Sequence, residues 1–448
     1  MRLLVLSDSF PPYNLGGAGE VAELVARGLA AREHEVLVVT AVSSPSQAGI
    51  ERTTGLTVRR LWAPPMGPLR LYLGLLHPLL VAQVRLVAGA FRPHAVHAHN
   101  VHERLSFASL GASRVGGVPL ALTVHDYLLF CLTKFLCSRG DVSYTATPAA
   151  CTHCRHIRRL PGRNGAVRAI VERNAAAVVC ISQAQRTALE ANGYAGAPLE
   201  VIYNGIDPAS CQTTAAERAS FRRLYDLDQR PLVLFGGRIS GAKGGDQLMR
   251  AVALARRRAD LQLAVLGDRP AYFAHARRLA EQVGLPHHAL HTLGWLDGAD
   301  LHHAFGAADV CATPSVYPDP FNLMTLRAMA HRKPVVGTCY GATPEIVVHG
   351  QTGFIADPWQ PEVFGERLAE LALDPQLAQR LGQAGRERAE QCFTLERQVE
   401  AYASLLTRLT SVSRTETPFS LGRRGQRDEG TVGARQGGPG CTPPQAPP

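Results

Sequence analysis

Two cations near the middle of the chain are spaced to bind a diphosphate. The apolar run Leu232–Phe235 ends in two glycines, and Arg238 and Lys243 follow five residues apart. Glycines after a buried strand let phosphate oxygens approach the backbone, while a guanidinium fork and an ammonium group neutralise them. Lys243 is one of three lysines in the whole chain. The alternative interpretation is a pair of solvated loop cations.

Two further turns lead from a strand into a helix. Gly16 and Gly17 follow the first apolar run, and a proline-rich loop carrying Asp319 ends where a helix begins at Asn322. Backbone N–H groups at a helix start have no intrahelical acceptor and favour anions. We therefore expect the N–H groups of residues 321–324, which include Phe321 and Leu323, to form an anion site.

Four of the ten cysteines lie close together in the sequence: Cys131, Cys137, Cys151 and Cys154. A Cys-x2-Cys pair with two further thiols fits a tetrahedral zinc site, which would stabilise a loop-rich insertion. Unligated, reduced cysteines are the alternative. A basic run at 155–163 follows directly, and it either contacts anionic lipid or is a solvated loop.

Composition narrows the functional class. The chain has 448 residues, a formal net charge of +10 and 46% hydrophobic residues. It is long enough for two or three domains with real cores, and its basic balance favours anionic partners. The first apolar run is too short for a secretory signal, and Leu71–Phe91 contains too many polar residues for a membrane span. We expect a cytoplasmic enzyme without a nucleic-acid partner.

Strand and helix patterns alternate twice along the chain, which is typical of an α/β fold with two parallel, doubly wound sheets. Ligands bind such sheets at the carboxyl ends of the strands, so we expect the chemistry in a cleft between two domains. The predicted strands are Leu3–Leu6, Glu35–Thr40, Ala95–His99, Leu120–Val124, Ala177–Cys180, Glu200–Ile202, Leu232–Phe235, Leu261–Leu266, Val310–Thr313, Pro334–Gly337 and Gly353–Ala356. The predicted helices are Glu20–Ala31, Leu71–Phe91, Glu103–Val115, Gln183–Asn192, Gln247–Arg257, Ala274–Val283, Leu323–His331, Glu362–Leu373 and Leu395–Leu409.

These patterns divide the chain into five parts. We expect a first Rossmann-like domain at 1–207 with the cysteine-rich insertion at 131–163, a linker at 208–230 and a second Rossmann-like domain at 231–390. A returning helix at 391–410 precedes a tail at 411–448, which is rich in Gly, Pro, Arg and Gln and is predicted to be disordered.

Eight short motifs in this order resemble glycosyltransferase family 4, retaining enzymes of GT-B fold, over roughly residues 1–408. The motifs are FPP with the following glycines, RPHAVHAHN (92–100), TVHDY (123–127), VIYNGID (201–207), GGRISGAKGG (236–245), PSVYPDPFNLMTLRAMA (314–330), GATPEIV (341–347) and HGQTGF (349–354). The resemblance implies that the terminal helix packs back on the first domain.

The resemblance also implies roles for single residues. Arg238 and Lys243 would bind the diphosphate and stabilise the charge of the leaving nucleotide. His125 would face the donor sugar beside Asp126, and Gly16 and Gly17 would border donor phosphate and acceptor. Asn204 of VIYNGID would join the substrate-binding residues. The family needs no metal at the phosphates, so the only metal we predict is the structural zinc.

One position departs from the family pattern. The family has two glutamates eight positions apart, one for the donor sugar and one for the nucleotide ribose, where this chain has Asp319 and Arg327. A guanidinium only donates hydrogen bonds and cannot accept them from ribose hydroxyls. Three explanations are open: Arg327 turns outward while Glu345 serves the ribose, Arg327 binds a more anionic donor, or the enzyme is weakened.

The sequence thus predicts a retaining transferase that moves a sugar from a UDP- or GDP-sugar to a hydroxyl of a glycan or glycolipid in bacterial polysaccharide biosynthesis, with a place at the inner face of the plasma membrane. The rivals are another activity of this fold, such as a nucleotide-sugar epimerase or a phosphorylase, and a non-catalytic binding protein. Arg327 is the residue that favours the last of these.

Overall fold

The computed structural model describes residues 1–13, 16–64, 67, 74–136, 162–237, 241–267 and 270–415, with the backbone alone at 270–272 and 413–415. Within these ranges the chain forms an eight-stranded and a six-stranded sheet, both flanked by helices. The expected fold of two Rossmann-like domains is confirmed.

The first sheet has the strand order β3-β4-β2-β1-β5-β6-β7-β8 and is parallel except for the β3–β4 pair. Its strands are β1 Arg2–Ser7, β2 Glu35–Val42, β3 Gly49–Thr53, β4 Leu56–Trp62, β5 Ala95–His99, β6 Leu120–Val124, β7 Ala177–Cys180 and β8 Leu199–Val201. Its helices are α1 Gly17–Ala30, α2 Pro78–Phe91, α3 Ala108–Ser113, α4 Arg163–Asn174 and α5 Gln183–Ala191.

The second sheet is parallel throughout, in the order β11-β10-β9-β12-β13-β14. Its strands are β9 Leu232–Gly236, β10 Gln262–Leu266, β11 Leu290–Gly294, β12 Val310–Thr313, β13 Val335–Thr338 and β14 Gly353–Ala356. The remaining helices are α6 Ala215–Leu224, α7 Gly245–Ala255, α8 Pro270–Val283, α9 Gly298–Ala307, α10 Leu323–Ala330, α11 Thr343–Ile346, α12 Pro361–Leu373, α13 Pro375–Cys392 and α14 Leu395–Thr415.

The strand order in each sheet reverses once, and these reversals fix where a ligand can bind. In the first sheet the chain runs outward from β1 through β2 to β4 and then returns to β5 on the other side of β1. In the second sheet it runs from β9 to β11 and returns to β12 beside β9. Adjacent connections diverge at such a point and leave a crevice at the carboxyl ends of the strands. The loops after β1, β5, β9 and β12 therefore border the candidate site.

The last helix returns to the first domain, as expected. Val399, Tyr402, Leu405 and Leu406 of α14 are buried against the apolar cluster that contains β1 and β2. Gly28 of α1 permits this contact, because a Cβ there would lie 2.4 Å from Cγ2 of Val399. The hydroxyl of Thr123 in β6 also donates a hydrogen bond to the hydroxyl of Tyr402, at 3.1 Å. The C-terminal helix thus becomes part of the first domain's core.

The structure corrects several sequence expectations. The hairpin β3–β4, strand β11 and helices α4, α6, α9, α11 and α13 were not predicted. The segment expected as a linker at 208–230 contains α6, whose start has a capping box of Thr214 and Glu217. The helix expected over Glu103–Val115 is shortened to α3, and the described helix within Leu71–Phe91 begins at Pro78. In the described ranges no helix has the length and apolar character needed to cross a membrane.

Candidate functional site

The two domains touch where the carboxyl ends of their strands meet. The Tyr127 hydroxyl, three residues after β6, donates a hydrogen bond of 2.7 Å to the backbone oxygen of Pro318 in the loop after β12. At the start of α1, a Cβ on Gly17 would lie 2.6 Å from Cδ1 of Leu323. Gly16 before it has a φ of 134°, a value that favours glycine. The glycine-rich turn therefore packs directly on the start of α10.

The two charged residues expected to bind the donor form an ion pair with each other. Nζ of Lys243 lies 2.5 Å from Oδ2 of Asp319, which is buried. The same oxygen accepts hydrogen bonds from Oγ of Ser315 at 3.2 Å and from Nδ2 of Asn322 at 3.4 Å. A buried carboxylate is stable only with such partners. Lys243, by contrast, is 28% exposed, so its ammonium also reaches the cleft.

Glycines bring the loops that hold this pair together. Gly244, with a φ of 75°, starts α7, and a Cβ there would lie 1.7 Å from the backbone oxygen of Pro314. Next to this contact the N–H of Val316 donates a hydrogen bond of 2.9 Å to the oxygen of Ala242. The sequence GAKGG thus lies against the proline-rich loop for a steric reason, and Lys243 is placed beside Asp319 as a result.

Asn322 caps α10 and uses part of the expected anion site. Its Oδ1 accepts from the N–H groups of Met324 and Thr325, at 3.0 and 3.4 Å. This corrects the expectation for residues 321–324, because the N–H of Met324 is engaged by the cap. The ring of Phe321 packs beside those of Tyr203 and Phe393, with centroids 6.3 and 6.1 Å away. Anion binding by the N–H groups of Phe321 and Leu323 stays a prediction.

His125 is half-buried and lies at the end of a row of imidazoles whose other members, His97 and His99, are buried. Its Nε2 lies 2.9 Å from Nδ1 of His99, and the two rings are stacked with centroids 5.2 Å apart. His97 and His99 share one face of β5, with ring centroids 4.2 Å apart. Burial lowers the pKa of His125 to about 4, with a further lowering by His102, against the raising effect of Asp126. The His125 imidazole is therefore neutral near pH 7.

Asp126 is surrounded by donors and cations. Its Oδ2 accepts from Nδ2 of Asn100 at 3.1 Å and lies 3.3 Å from Nε2 of His102 and 3.7 Å from Nζ of Lys134. Burial alone would raise the pKa of Asp126, but His102 and Lys134 outweigh it and hold that pKa below its usual range. Asp126 therefore stays charged and orders the loop after β6. Contact with substrate remains a prediction for this residue.

Arg327 does not turn outward. Its guanidinium forms an ion pair with the carboxylate of Glu20, which lies in the first turn of α1 in the other domain. The Arg327 side chain is 21% exposed and that of Glu20 is 36% exposed, so the pair lies at the border of the cleft. This contact excludes the explanation in which Arg327 turns outward from the cleft. Sequence reasoning missed Glu20, and its only signal was a carboxylate following the glycine-rich turn.

Glu345 also joins the two domains. Its carboxylate accepts from the N–H groups of Gln183 and Ala184 at the start of α5, at 2.8 and 2.7 Å, and from the Tyr203 hydroxyl at 2.9 Å. Burial raises the pKa of Glu345, while these three hydrogen bonds lower it. Binding of the nucleotide ribose by Glu345 stays a prediction. The carboxylate would have to accept from the ribose in addition to the three hydrogen bonds that it already accepts.

The other sequence-predicted residues are placed as follows. Asn204 lies in the interdomain segment, residues 202–214 between β8 and α6. It is buried, and its Oδ1 accepts a hydrogen bond from Nε2 of Gln398 in α14 at 3.3 Å, so it ties this segment to the returning helix. Arg238 lies outside the described residues, as do Cys137, Cys151 and Cys154. Cys131 is described: it is buried, and its Sγ lies 3.2 Å from Oγ1 of Thr133. The zinc site on these four cysteines stays a prediction.

Two protein-family models match the chain, one in each domain. The Glycosyltransferase Family 4 model matches residues 15–210, and the model of Glycosyl transferases group 1 matches residues 217–388. Together they span both sides of the cleft described above.

Curated relatives are similar over most of their length. A GDP-mannose-dependent alpha-(1-6)-phosphatidylinositol monomannoside mannosyltransferase of Mycobacterium tuberculosis is 27% identical over 402 residues, which cover 86% of this chain and 93% of the relative. A D-inositol 3-phosphate glycosyltransferase of Pseudarthrobacter chlorophenolicus is 27% identical over 405 residues, with 87% and 91% covered.

Solved structures share the fold at lower identity. A sucrose-phosphate synthase from Thermosynechococcus elongatus superposes with a TM-score of 0.75 at 22% identity, covering 92% of this chain and 99% of that one. HepE of Anabaena, solved in complex with UDP, superposes with a TM-score of 0.69 at 22% identity, covering 91% and 100%.

The contact between His99 and His125 predicts a graded effect of substitution. His99→Ala removes the group that holds Nε2 of His125, whereas His99→Asn places an amide near the position of Nδ1. We expect His99→Ala to lower the rate of sugar release from a bound nucleotide-sugar at least about tenfold, with most of the rate kept in His99→Asn. Because the pKa of His125 is about 4, its imidazole becomes protonated only as the pH falls towards 4. Protonation of His125 should therefore lower the wild-type rate only in that acidic range. Equal rates in the two variants would contradict the prediction.

The ion pair between Arg327 and Glu20 predicts a charge-swap rescue. Arg327→Glu places two carboxylates together, so we expect a lower Tm and a changed nucleotide affinity. The swap Glu20→Arg with Arg327→Glu restores the pair and should recover most of the Tm, with a coupling energy of about 1 kcal/mol for so exposed a pair. Scanning calorimetry and nucleotide titration of the four proteins measure both effects. Additive changes in Tm would show that the two side chains do not interact, and an unchanged nucleotide affinity in Arg327→Glu would show that position 327 does not face the site.

Proposed function

We propose that this chain, which belongs to the family 4 glycosyltransferases of GT-B fold, transfers a hexosyl group with retention from a UDP- or GDP-sugar to a hydroxyl of a glycan or glycolipid in bacterial polysaccharide biosynthesis. The observation that carries the proposal is the contact between Lys243 and Asp319 at the switch point of the second sheet. It supports the proposal because a cation suited to phosphate and a carboxylate suited to sugar hydroxyls lie together on one rim, facing the first domain.

The chemistry follows from these groups. Lys243, with Arg238, binds the two phosphates and stabilises the negative charge that develops as the bond between the anomeric carbon and the phosphate oxygen breaks. The acceptor oxygen bonds to the anomeric carbon on the same face, and its proton passes to the departing phosphate. No protein nucleophile takes part. Asp319 and the neutral His125 orient sugar hydroxyls by hydrogen bonds. Neither group gains or loses a proton in this role.

The rival function is a non-catalytic binding protein, and Arg327 is the observation that favours it. Arg327 stands where the family has a ribose-binding glutamate, and here it pairs with Glu20. Three features support turnover instead: Lys243 is retained, Asp319 keeps an acidic side chain, and both are held by loops whose close contacts require glycine. A cation and an acidic group kept side by side in the cleft are what the transfer of a sugar from a nucleotide requires.

The proposal is tested by calorimetric titration with UDP, GDP and ADP, and with a sugar nucleotide of each base. We expect micromolar binding of the uridine or guanosine compound and at least about tenfold weaker binding by Lys243→Ala, because one charge-assisted phosphate contact is lost. Arg250→Ala, which removes an exposed cation from α7 in the same domain, is the matched control and should bind as the wild type does.

Two results of the titration would speak against transfer. If none of the nucleotides binds the wild type, the chain is a binding protein of another kind. If a nucleotide-sugar binds and is converted into a different nucleotide-sugar, with no transfer of the sugar to an acceptor, the activity is that of an epimerase.

A lipid acceptor is favoured by an exposed apolar stripe on the first domain. Leu79 and Leu86 lie seven residues apart on α2 and are 45% and 74% exposed, with Leu76 just before the helix 52% exposed. Arg85, also exposed, lies between them. Apolar side chains with neighbouring cations suit the headgroup region of an anionic membrane. The relative named above acts on a phosphatidylinositol mannoside, which supports peripheral contact with the inner face of the plasma membrane.

Membrane contact predicts a loss of vesicle binding when this stripe carries charge. We expect the double variant Leu79→Asp with Leu86→Asp to co-sediment several-fold less with phosphatidylglycerol vesicles than the wild type, because two membrane-inserted leucines are lost and two like charges are added. Leu224→Asp on α6, a leucine that is 71% exposed, is the control. Neutral substitution of Arg155, Arg158 and Arg159 tests the basic run separately. No vesicle binding by the wild type would remove the proposal.

A further inference from the structure

Three metal-ligating side chains meet where the interdomain segment contacts the second domain. Cys211 ends the short 3-10 turn Pro208–Ser210, His302 lies within α9, and His331 is the residue at which α10 stops. Their ligand atoms all lie within 4.8 Å of one another. Cys211 and His331 are buried, and His302 is half-buried. None of the three was part of the sequence-predicted site.

The two histidines already present nitrogen atoms to a common point. Nδ1 of His302 and Nε2 of His331 are 3.0 Å apart, so the pair shares one proton between two ring nitrogens. The His331 ring is held by stacking on Phe305, with centroids 5.3 Å apart and an angle of 9° between the planes. Histidine ring nitrogens held in a fixed orientation in this way are common metal ligands.

The spacing is near that of a tetrahedral centre with two nitrogen ligands and one sulfur ligand. With Zn–N bonds of about 2.0 Å and a Zn–S bond of about 2.3 Å, ligand atoms are about 3.3 to 3.6 Å apart. The two nitrogens must separate slightly, and the Cys211 sulfur must approach by about an ångström. Its present partners are weak and allow this movement: Sγ donates to the oxygen of Asp207 at 3.5 Å and lies 3.8 Å from Oγ of Ser210.

We propose that Cys211, His302 and His331 bind one zinc ion, with a water molecule as the fourth ligand. A cavity of about 240 Å³ borders Cys211 and His331 and gives the fourth position access to solvent. Two imidazoles and a thiolate in tetrahedral arrangement suit Zn²⁺ better than the oxygen-binding cations Mg²⁺ and Ca²⁺. The site is separate from the cysteine-rich segment at 131–154.

Charged groups around the cavity set the strength of binding. Arg218, Arg332 and Lys333 line it, and Arg218 is paired with Asp309 at 2.6 Å. Arg386, also near Cys211, is paired with Glu390 at 2.5 Å. These cations oppose the binding of a divalent ion. We therefore expect weaker binding than in a closed four-cysteine site, with the ion removable by a strong chelator.

The ion would connect parts of the chain that matter for the cleft. Cys211 belongs to the segment 202–214 between β8 and α6. His331 directly follows α10, which carries Arg327 and is preceded by Asn322 beside Asp319. An ion bound by both Cys211 and His331 would fix the end of α10 to the interdomain segment. This role is structural and does not depend on the proposed transfer reaction.

The first test is metal content. Untagged full-length protein, purified without chelator from zinc-containing medium, should hold about one equivalent of zinc at this site by plasma mass spectrometry, beyond the ion predicted on the four cysteines at 131–154. Cys211→Ser and His302→Ala should lose it. The matched controls are Cys311→Ser, which removes a buried thiol of β12 in the same domain, and Cys151→Ser with Cys154→Ser. Both controls should keep the ion, and circular dichroism verifies the fold of every variant.

The second test uses cobalt and does not require the site variants to fold well. The Cys151→Ser, Cys154→Ser protein, stripped of metal, is titrated with Co²⁺, and we expect a thiolate-to-cobalt charge-transfer band together with tetrahedral ligand-field bands. Zinc should displace the cobalt and raise the Tm of this protein. Absence of the thiolate band there, zinc well below one equivalent in the wild type, or zinc lost only on substitution of Cys151 and Cys154 would overturn the proposal.

Discussion

The carboxylate of Asp319 is the group on which the arrangement of the cleft depends. A charge buried this deeply is tolerated only when hydrogen bonds and an opposite charge surround it. Lys243, Ser315 and Asn322 all direct donors to one of its oxygens. Its backbone oxygen accepts from Ala342, and Gly341 must be glycine because a Cβ would lie 2.4 Å from the backbone atoms of Asp319. The loops after β9, β12 and β13 are therefore held in register by one residue.

Contacts between the domains explain why the departure at position 327 does not disrupt the cleft. Polar contacts cross it at three described places: Arg327 with Glu20, Glu345 with the start of α5, and Tyr127 with the backbone of Pro318. In each, a side chain from one domain satisfies a charge or a backbone group of the other. Arg327 has thus become a partner in this interface, where a glutamate would face the carboxylate of Glu20. The substitution is compensated locally, whatever its effect on the nucleotide.

The sequence predicts buried strands well and exposed elements poorly, for a physical reason. β5, β6, β7, β12 and β14 match their predicted bounds because parallel strands covered on both sides are short, buried and mostly apolar runs. β3 was missed because all five of its residues are exposed, and it has no apolar face to indicate it. α13 was missed because Gln, Arg and Glu dominate it, and its buried positions are mostly small. In the site, spacing identified Lys243, and the resemblance to the family identified Asp319. Their pairing across 76 residues, and the pairing of Glu20 with Arg327 across 307, depend on tertiary packing that no local pattern records.

The partners of Asp319 also determine what it costs to bind an anion in the cleft. If Lys243 were its only partner, a diphosphate would compete with a buried carboxylate for one ammonium, and the charge left behind would oppose binding. Ser315 and Asn322 already donate to the same oxygen, so Asp319 stays solvated by the protein when the ammonium turns towards a phosphate. Lys243 is partly exposed and lies 5.5 Å from the centroid of the Tyr317 ring, which stabilises the cation without fixing its direction. In the proposed reaction the ammonium would therefore exchange a carboxylate contact for a phosphate contact, and little reorganisation of the cleft would remain.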